Sequence, residues 1–148
     1  VLVIMILLIR LLFIFGIFDN LKEIIFKSDE QEYHSIMLLI NDAKDYLDVN
    51  DLQKTSLIYK EIKLKYEGLS AKTREKIYQD IIGLCSKIDE VYMRKLVDTA
   101  SQDITNKDKS HAAKVYLVIE KVYTKLSDNS KLVFESEIKN IHQRLTKD

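Results

Sequence analysis

The chain contains no proline and no tryptophan, a single cysteine, and glycine only at positions 16, 68 and 83. Without proline there is no stiff linker and no obligatory helix stop. With three glycines there is little of the turn chemistry that short strands require, so an all-α fold is expected. Cys85 stands alone, which excludes an internal disulfide and any cysteine-based metal site. A charge excess of one sign is missing as well: 23 Lys and Arg balance 23 Asp and Glu. No basic surplus is available to displace phosphate counterions, so nucleic acid is not an expected partner.

The signatures of catalysis are absent too. There is no Gly-rich phosphate loop, nucleophile elbow or zinc-protease motif. His34, His111 and His142 lie far apart, with no partner at helical spacing, and read as surface or half-buried side chains. Asp42, Asp45 and Asp48 recur every three residues, but the interleaved Lys44 makes them a solvated helix face rather than a metal site, and Glu135 and Glu137 read the same way. The expectation is a protein with no enzymatic activity, no cofactor, no metal and no small-molecule substrate. No asparagine satisfies the Asn-x-Ser/Thr rule, since the closest approach, Asn129-Ser130-Lys131, places the serine one residue early.

What is present is uneven. The 148 residues have a mean hydropathy of -0.12, an ordinary soluble value. Yet sixteen of the first eighteen residues are apolar, Arg10 and Gly16 being the exceptions. The chain divides into a hydrophobic segment, 1–27, and a charged head, 28–148. Eighteen helical residues span about 27 Å, close to the ~30 Å hydrocarbon core of a bilayer. Val1, Leu2, Ile4, Leu8, Leu11, Phe15 and Phe18 would form its apolar surface. Arg10 in such a setting either snorkels to an interface or meets an acid of a neighbouring helix, for which Asp19 is nearest in sequence.

The segment starts at Val1 without an initiator Met, has no basic flank before it, and no small-residue cleavage site after it. In this it resembles the N-terminal helix of a type IV pilin, particularly the archaeal kind, since Met5 stands where bacterial members usually carry Glu. The resemblance covers residues 1 to about 27. It implies a helix that waits in the membrane after leader removal and then packs with its neighbours as the core of an extracellular filament.

The head repeats itself at an offset of 57 residues. Leu39/Leu96, Ala43/Ala100, Asp51/Asp108, Tyr59/Tyr116, Ile62/Ile119, Tyr66/Tyr123, Leu69/Leu126, Ser70/Ser127 and Ile81/Ile138 are identical, and conservative apolar pairs lie between them. Matched positions step by three and four, the buried stripe of an α-helix. Each unit reads as three helices: about 29–47, 52–66 and 71–88, then about 91–104, 110–126 and 130–145. Ser28 with Gln31 reads as a capping box, Gly68 as a left-handed helix stop, and Ser70 as the cap of the third helix.

The small residue, short turn and Tyr-x-x-Ile-x-x-x-Tyr pattern resembles a divergent tetratricopeptide repeat, over residues 29–146. The resemblance implies that Ala43 and Ala100 sit where a second helix crosses closely, with Ala112-Ala113 as small residues on that helix. It also implies that Tyr59, Tyr66, Tyr116 and Tyr123 pack across each pair. The family's Gly on the first helix and Pro after the second are missing.

Two functions follow. In the first, the protein is a pilin-like structural subunit that polymerises with itself, held in the membrane before assembly and exposed at the cell surface afterwards. In the second, it is a single-pass membrane protein whose repeat head docks a protein partner.

Overall fold

The computed structural model describes residues 28–147. The residues of the expected hydrophobic rod, Val1, Leu2, Ile4, Leu8, Arg10, Leu11, Phe15 and Phe18, lie outside that range. Among the described residues no helix is long and apolar enough to cross a membrane.

The described chain is helical throughout, with no strand. α1 occupies residues 28–48, α2 Leu52–Glu67, α3 Ala71–Thr105, α4 Lys109–Tyr123 and α5 Asp128–Thr146. Each start has a local cause. Asp51 and Asp108, 57 residues apart, cap α2 and α4 by accepting from the backbone N–H of Lys54 and His111. Ser70 and Ser127 cap α3 and α5 in the same way, accepting from Thr73 and Ser130. These side-chain oxygens satisfy amide donors that a helix start leaves unpaired. Ser28 is itself helical, so it does not serve as the cap expected from sequence.

Gly68 is the second departure. It ends α2 with φ -80°, in right-handed geometry, and no glycine among the described residues has positive φ. The left-handed positions are Asn50 (φ 59°) and Lys107 (φ 63°), again 57 residues apart, in the turns that lead into α2 and α4. The tight reversal after the first helix of each unit needs the left-handed residue. The turn after α2 is made with right-handed backbone.

The largest departure concerns α3. Sequence periodicity predicts a third helix ending near Ile88 and a new one starting at Val91, but the structure carries one helix of 35 residues through both. Its length is about 52 Å at ~1.5 Å per residue. The apolar stripe does break there. Ile77, Ile81, Leu84 and Ile88 pack into one core, while Met93, Val97 and Ala100 pack into another. At ~100° per residue, these two stripes face directions roughly 150° apart around the helix axis. A break in phase therefore marks a change of face, not an end of helix.

Two cores result. The first joins Ile36, Ile40, Ala43 and Leu47 of α1 to Ile62 of α2, Leu69, and Ile77 and Leu84 of α3. The second joins Met93, Val97 and Ala100 of α3 to Ile119 of α4, Leu126, and Phe134 and Ile141 of α5. Every member of the second core lies 57 residues after a member of the first. α3 thus acts as third helix to one unit and first helix to the next.

Candidate functional site

Ala43, Ile62, Ala100 and Ile119 are fully buried, while Leu39, Tyr59 and Tyr66 pack half-buried against the first core and Leu96, Tyr116 and Tyr123 against the second. Of Ala112-Ala113 only Ala112 is buried, and its counterpart 57 residues earlier is Thr55. Thr55 is also fully buried, and returns its hydroxyl to the Asp51 carbonyl at 2.9 Å. A threonine can stand in for alanine here because its one polar atom is satisfied within its own helix.

An acid buttresses the third helix of each unit. The Asp29 carboxylate on α1 accepts from the Ser70 backbone N–H at 3.3 Å and from the Thr73 hydroxyl at 3.0 Å. Hydrogen bonding from Ser70 and Thr73 holds it below the usual carboxylate range, against a smaller upward pull from desolvation. In the second unit the buried Ser130 hydroxyl donates to Glu90 of α3 at 2.5 Å. Thr73 and Ser130 are 57 residues apart, whereas Asp29 and Glu90 are 61 apart, so the second acid sits one helical turn further on. Sequence reasoning missed both pairs. Its one available signal was a hydroxyl residue three places after each capping serine.

The two tyrosines at the head of the repeat match have diverged surroundings. The Cys85 thiol of α3 donates to the Tyr59 hydroxyl at 3.1 Å. The Tyr59 phenol is pushed up to about 12 by the hydrogen bond with Cys85, then by burial and the nearby charges of Cys85 and Asp89. At the equivalent of Cys85 stands His142, whose ring lies 5.5 Å from the Tyr116 ring. Burial first, then Glu120, raises the Tyr116 phenol.

Cross-helix ion pairs complete the frame: Glu32 with Lys65 at 3.0 Å, and Arg94 with Glu137 at 2.5 Å, the Arg94 guanidinium also lying 4.8 Å from the Phe134 ring centre. Tyr78 is exposed, whereas Tyr46 is half-buried under the Lys54 ammonium at 4.8 Å.

His34, His111 and His142 are all exposed, and His111 pairs with Asp103 at 2.6 Å. Among the described residues no group of three His, Cys, Asp or Glu is placed to hold a metal. A shallow groove of about 490 Å³, lined by Leu52, Ser56, Ile88, Tyr92, Leu96 and neighbouring polar residues, lies where the start of α2 meets the middle of α3.

No protein-family model, curated protein or solved structure gives a significant match to this chain.

Proposed function

We propose that the protein is a structural subunit of an extracellular filament, with the apolar N-terminal segments packed as its core and the helical heads as its surface. The observation that carries this reading is the sharp division of the chain: sixteen apolar residues in the first eighteen, joined to a head whose described residues bury their apolar stripes in two cores of their own. Such a segment must leave water. A membrane first and a bundle of like segments afterwards meet that need. Within the bundle, attraction rests on close helix packing rather than on hydrophobic transfer, because lipid is as apolar as the segment itself.

The head is proposed as a divergent tetratricopeptide-like array, on the strength of the small residues at Ala43 and Ala100 and the tyrosines at 59, 66, 116 and 123. The continuity of α3 departs from that family's short antiparallel helices. Electron microscopy of shed cell-surface material tests the proposal. Helical polymers containing this chain are expected, and soluble monomers alone would overturn it.

One observation favours a second reading, a membrane-anchored protein-interaction head: the apolar groove beside Leu52, Ile88, Tyr92 and Leu96. Topology labelling separates the two, since a cytosolic head is incompatible with an extracellular polymer.

A further inference from the structure

The overall charge balance conceals an imbalance between the two units. Residues 28–90 carry 9 basic and 13 acidic side chains, for a net charge of -4, whereas residues 91–148 carry 11 basic and 8 acidic ones, for +3. Two exposed helix faces carry part of this difference. On α1, Leu38, Asp42, Asp45 and Val49 follow one another at steps of four, three and four, a single stripe about 16 Å long that ends in the turn after the helix. Leu38 and Val49 are 66% and 72% exposed, and both aspartates are exposed between them. On α4, Lys114, Leu117, Val118 and Lys121 make the corresponding stripe, with Leu117 58% exposed. One stripe is apolar and acidic, the other apolar and basic. None of these four charged side chains forms an ion pair among the described residues.

Neither stripe is a requirement of the repeated fold. The positions equivalent to Leu38, Asp42, Asp45 and Val49 hold Lys95, Thr99, Gln102 and Asn106. Those equivalent to Lys114, Leu117, Val118 and Lys121 hold Leu57, Lys60, Glu61 and Leu64. The same backbone is thus built with other side chains at each of these places, and packing does not account for the pairing of apolar residues with one sign of charge.

We infer that the α1 stripe of one copy docks against the α4 stripe of a second copy of this chain. Lys114 and Lys121, about 10 Å apart along α4, reach Asp42 and Asp45, about 5 Å apart along α1. The two surfaces are not equivalent by the repeat, so the contact is heterologous, and each copy in a pair keeps one face free, α4 on one and α1 on the other. Contacts of that kind generate rings when the rotation closes and open helical filaments when it does not. The inference rests on the filament reading for its biological setting and gives that polymer a head-to-head contact. One helix on one helix buries less than the ~800 Å² per partner of a stable complex. The contact is therefore weak alone and acts through repetition along the polymer.

Zero-length carbodiimide coupling of the full chain in detergent, with unlabelled and ¹⁵N-labelled copies mixed, reads the contact directly, because it joins only touching carboxylates and amines. Mixed-isotope peptides linking Asp42 or Asp45 to Lys114 or Lys121 are expected, with a yield that falls steeply as salt is raised. Coupling confined to other pairs overturns the inference. Charge reversal supplies the second arm. The double variant Asp42→Lys with Asp45→Lys, and separately Lys114→Glu with Lys121→Glu, are each expected to lose more than about tenfold in intermolecular coupling through the two stripes. An equal mixture of the two variants is expected to recover it, since the reversed faces complement each other. No recovery on mixing, with both variants folded by circular dichroism, overturns the contact. Filaments without this cross-link would refute the contact and leave the filament reading standing. The cross-link without filaments would do the reverse.

Discussion

The Cys85 thiol donates a hydrogen bond to the Tyr59 hydroxyl at 3.1 Å across the α2–α3 interface, and 57 residues later the same place is filled by His142 against Tyr116. Two copies of one packing position have acquired different chemistry without disturbing the neighbouring Ile62 and Ile119, both fully buried. The contact with Cys85, burial, and the nearby charges of Cys85 and Asp89 push the Tyr59 phenol up to about 12.

Alkaline stability follows from that shift. A group whose folded pKa lies above its unfolded value of ~10 stabilises the native state fully below pH 10 and loses this contribution as pH rises through 12. Thermal melts between pH 9 and 12 are expected to show a decline that Tyr59→Phe makes shallower. Absorbance of ionised tyrosine should show one fewer late-titrating group in the variant. An unchanged late phase would show that Tyr59 titrates normally.

Ser130→Ala removes a buried hydroxyl that is bonded both to the N-cap Ser127 and to Glu90. The expected loss is about 1.5–3 kcal/mol, the range for hydrogen bonds to charged groups, read from urea unfolding. Thr73→Ala should lose less, because its acid, Asp29, also keeps the backbone N–H of Ser70.

Gly83 lies exposed in the middle of α3, and a Cβ built there meets nothing within 4 Å. Gly83→Ala is expected to raise stability by about 0.5–1 kcal/mol by restricting the unfolded chain and improving helix propensity. Gly68→Ala should be tolerated as well, since its φ is -80° and the added methyl would lie 3.5 Å from the Lys65 carbonyl oxygen. A large loss at Gly68 would mean that the turn uses left-handed geometry after all.

Ala112 and Ala113 make a paired test of helix crossing. Ala112 is fully buried and Ala113 exposed. Ala112→Leu forces α4 outward and is expected to cost about 1–3 kcal/mol, whereas Ala113→Leu should stay within about 0.5 kcal/mol. Thermal denaturation of both variants checks the contrast.

Lys107 occupies left-handed backbone at φ 63°, where its counterpart Asn50 has a side chain suited to that conformation. Lys107→Asn is expected to stabilise the second unit by a few tenths of a kcal/mol up to about 1 kcal/mol. Asn50→Lys should destabilise the first by a similar amount. Equal melting temperatures for the wild type and both variants would show that the turn is unstrained.

The helical class and the members of the two cores were legible in the sequence, as was the cap at Ser70, whereas the caps at Asp51 and Asp108 were read only as turns. These depend on local rules: a stripe at helical spacing and a side-chain oxygen placed against free amides. The 57-residue offset was legible for the same reason, because equivalent cores demand equivalent apolar positions. Tertiary structure alone decided that α3 runs through Asp89 and Glu90. A phase break in an apolar stripe is the same signal whether a helix stops or changes partners, and no Gly or Pro stands between Ile88 and Val91 to separate the two. It also decided which hydroxyls found acids, since Asp29 and Ser70 are 41 residues apart and Glu90 and Ser130 are 40 apart. Proximity across that distance is set by how helices pack, which no local window contains.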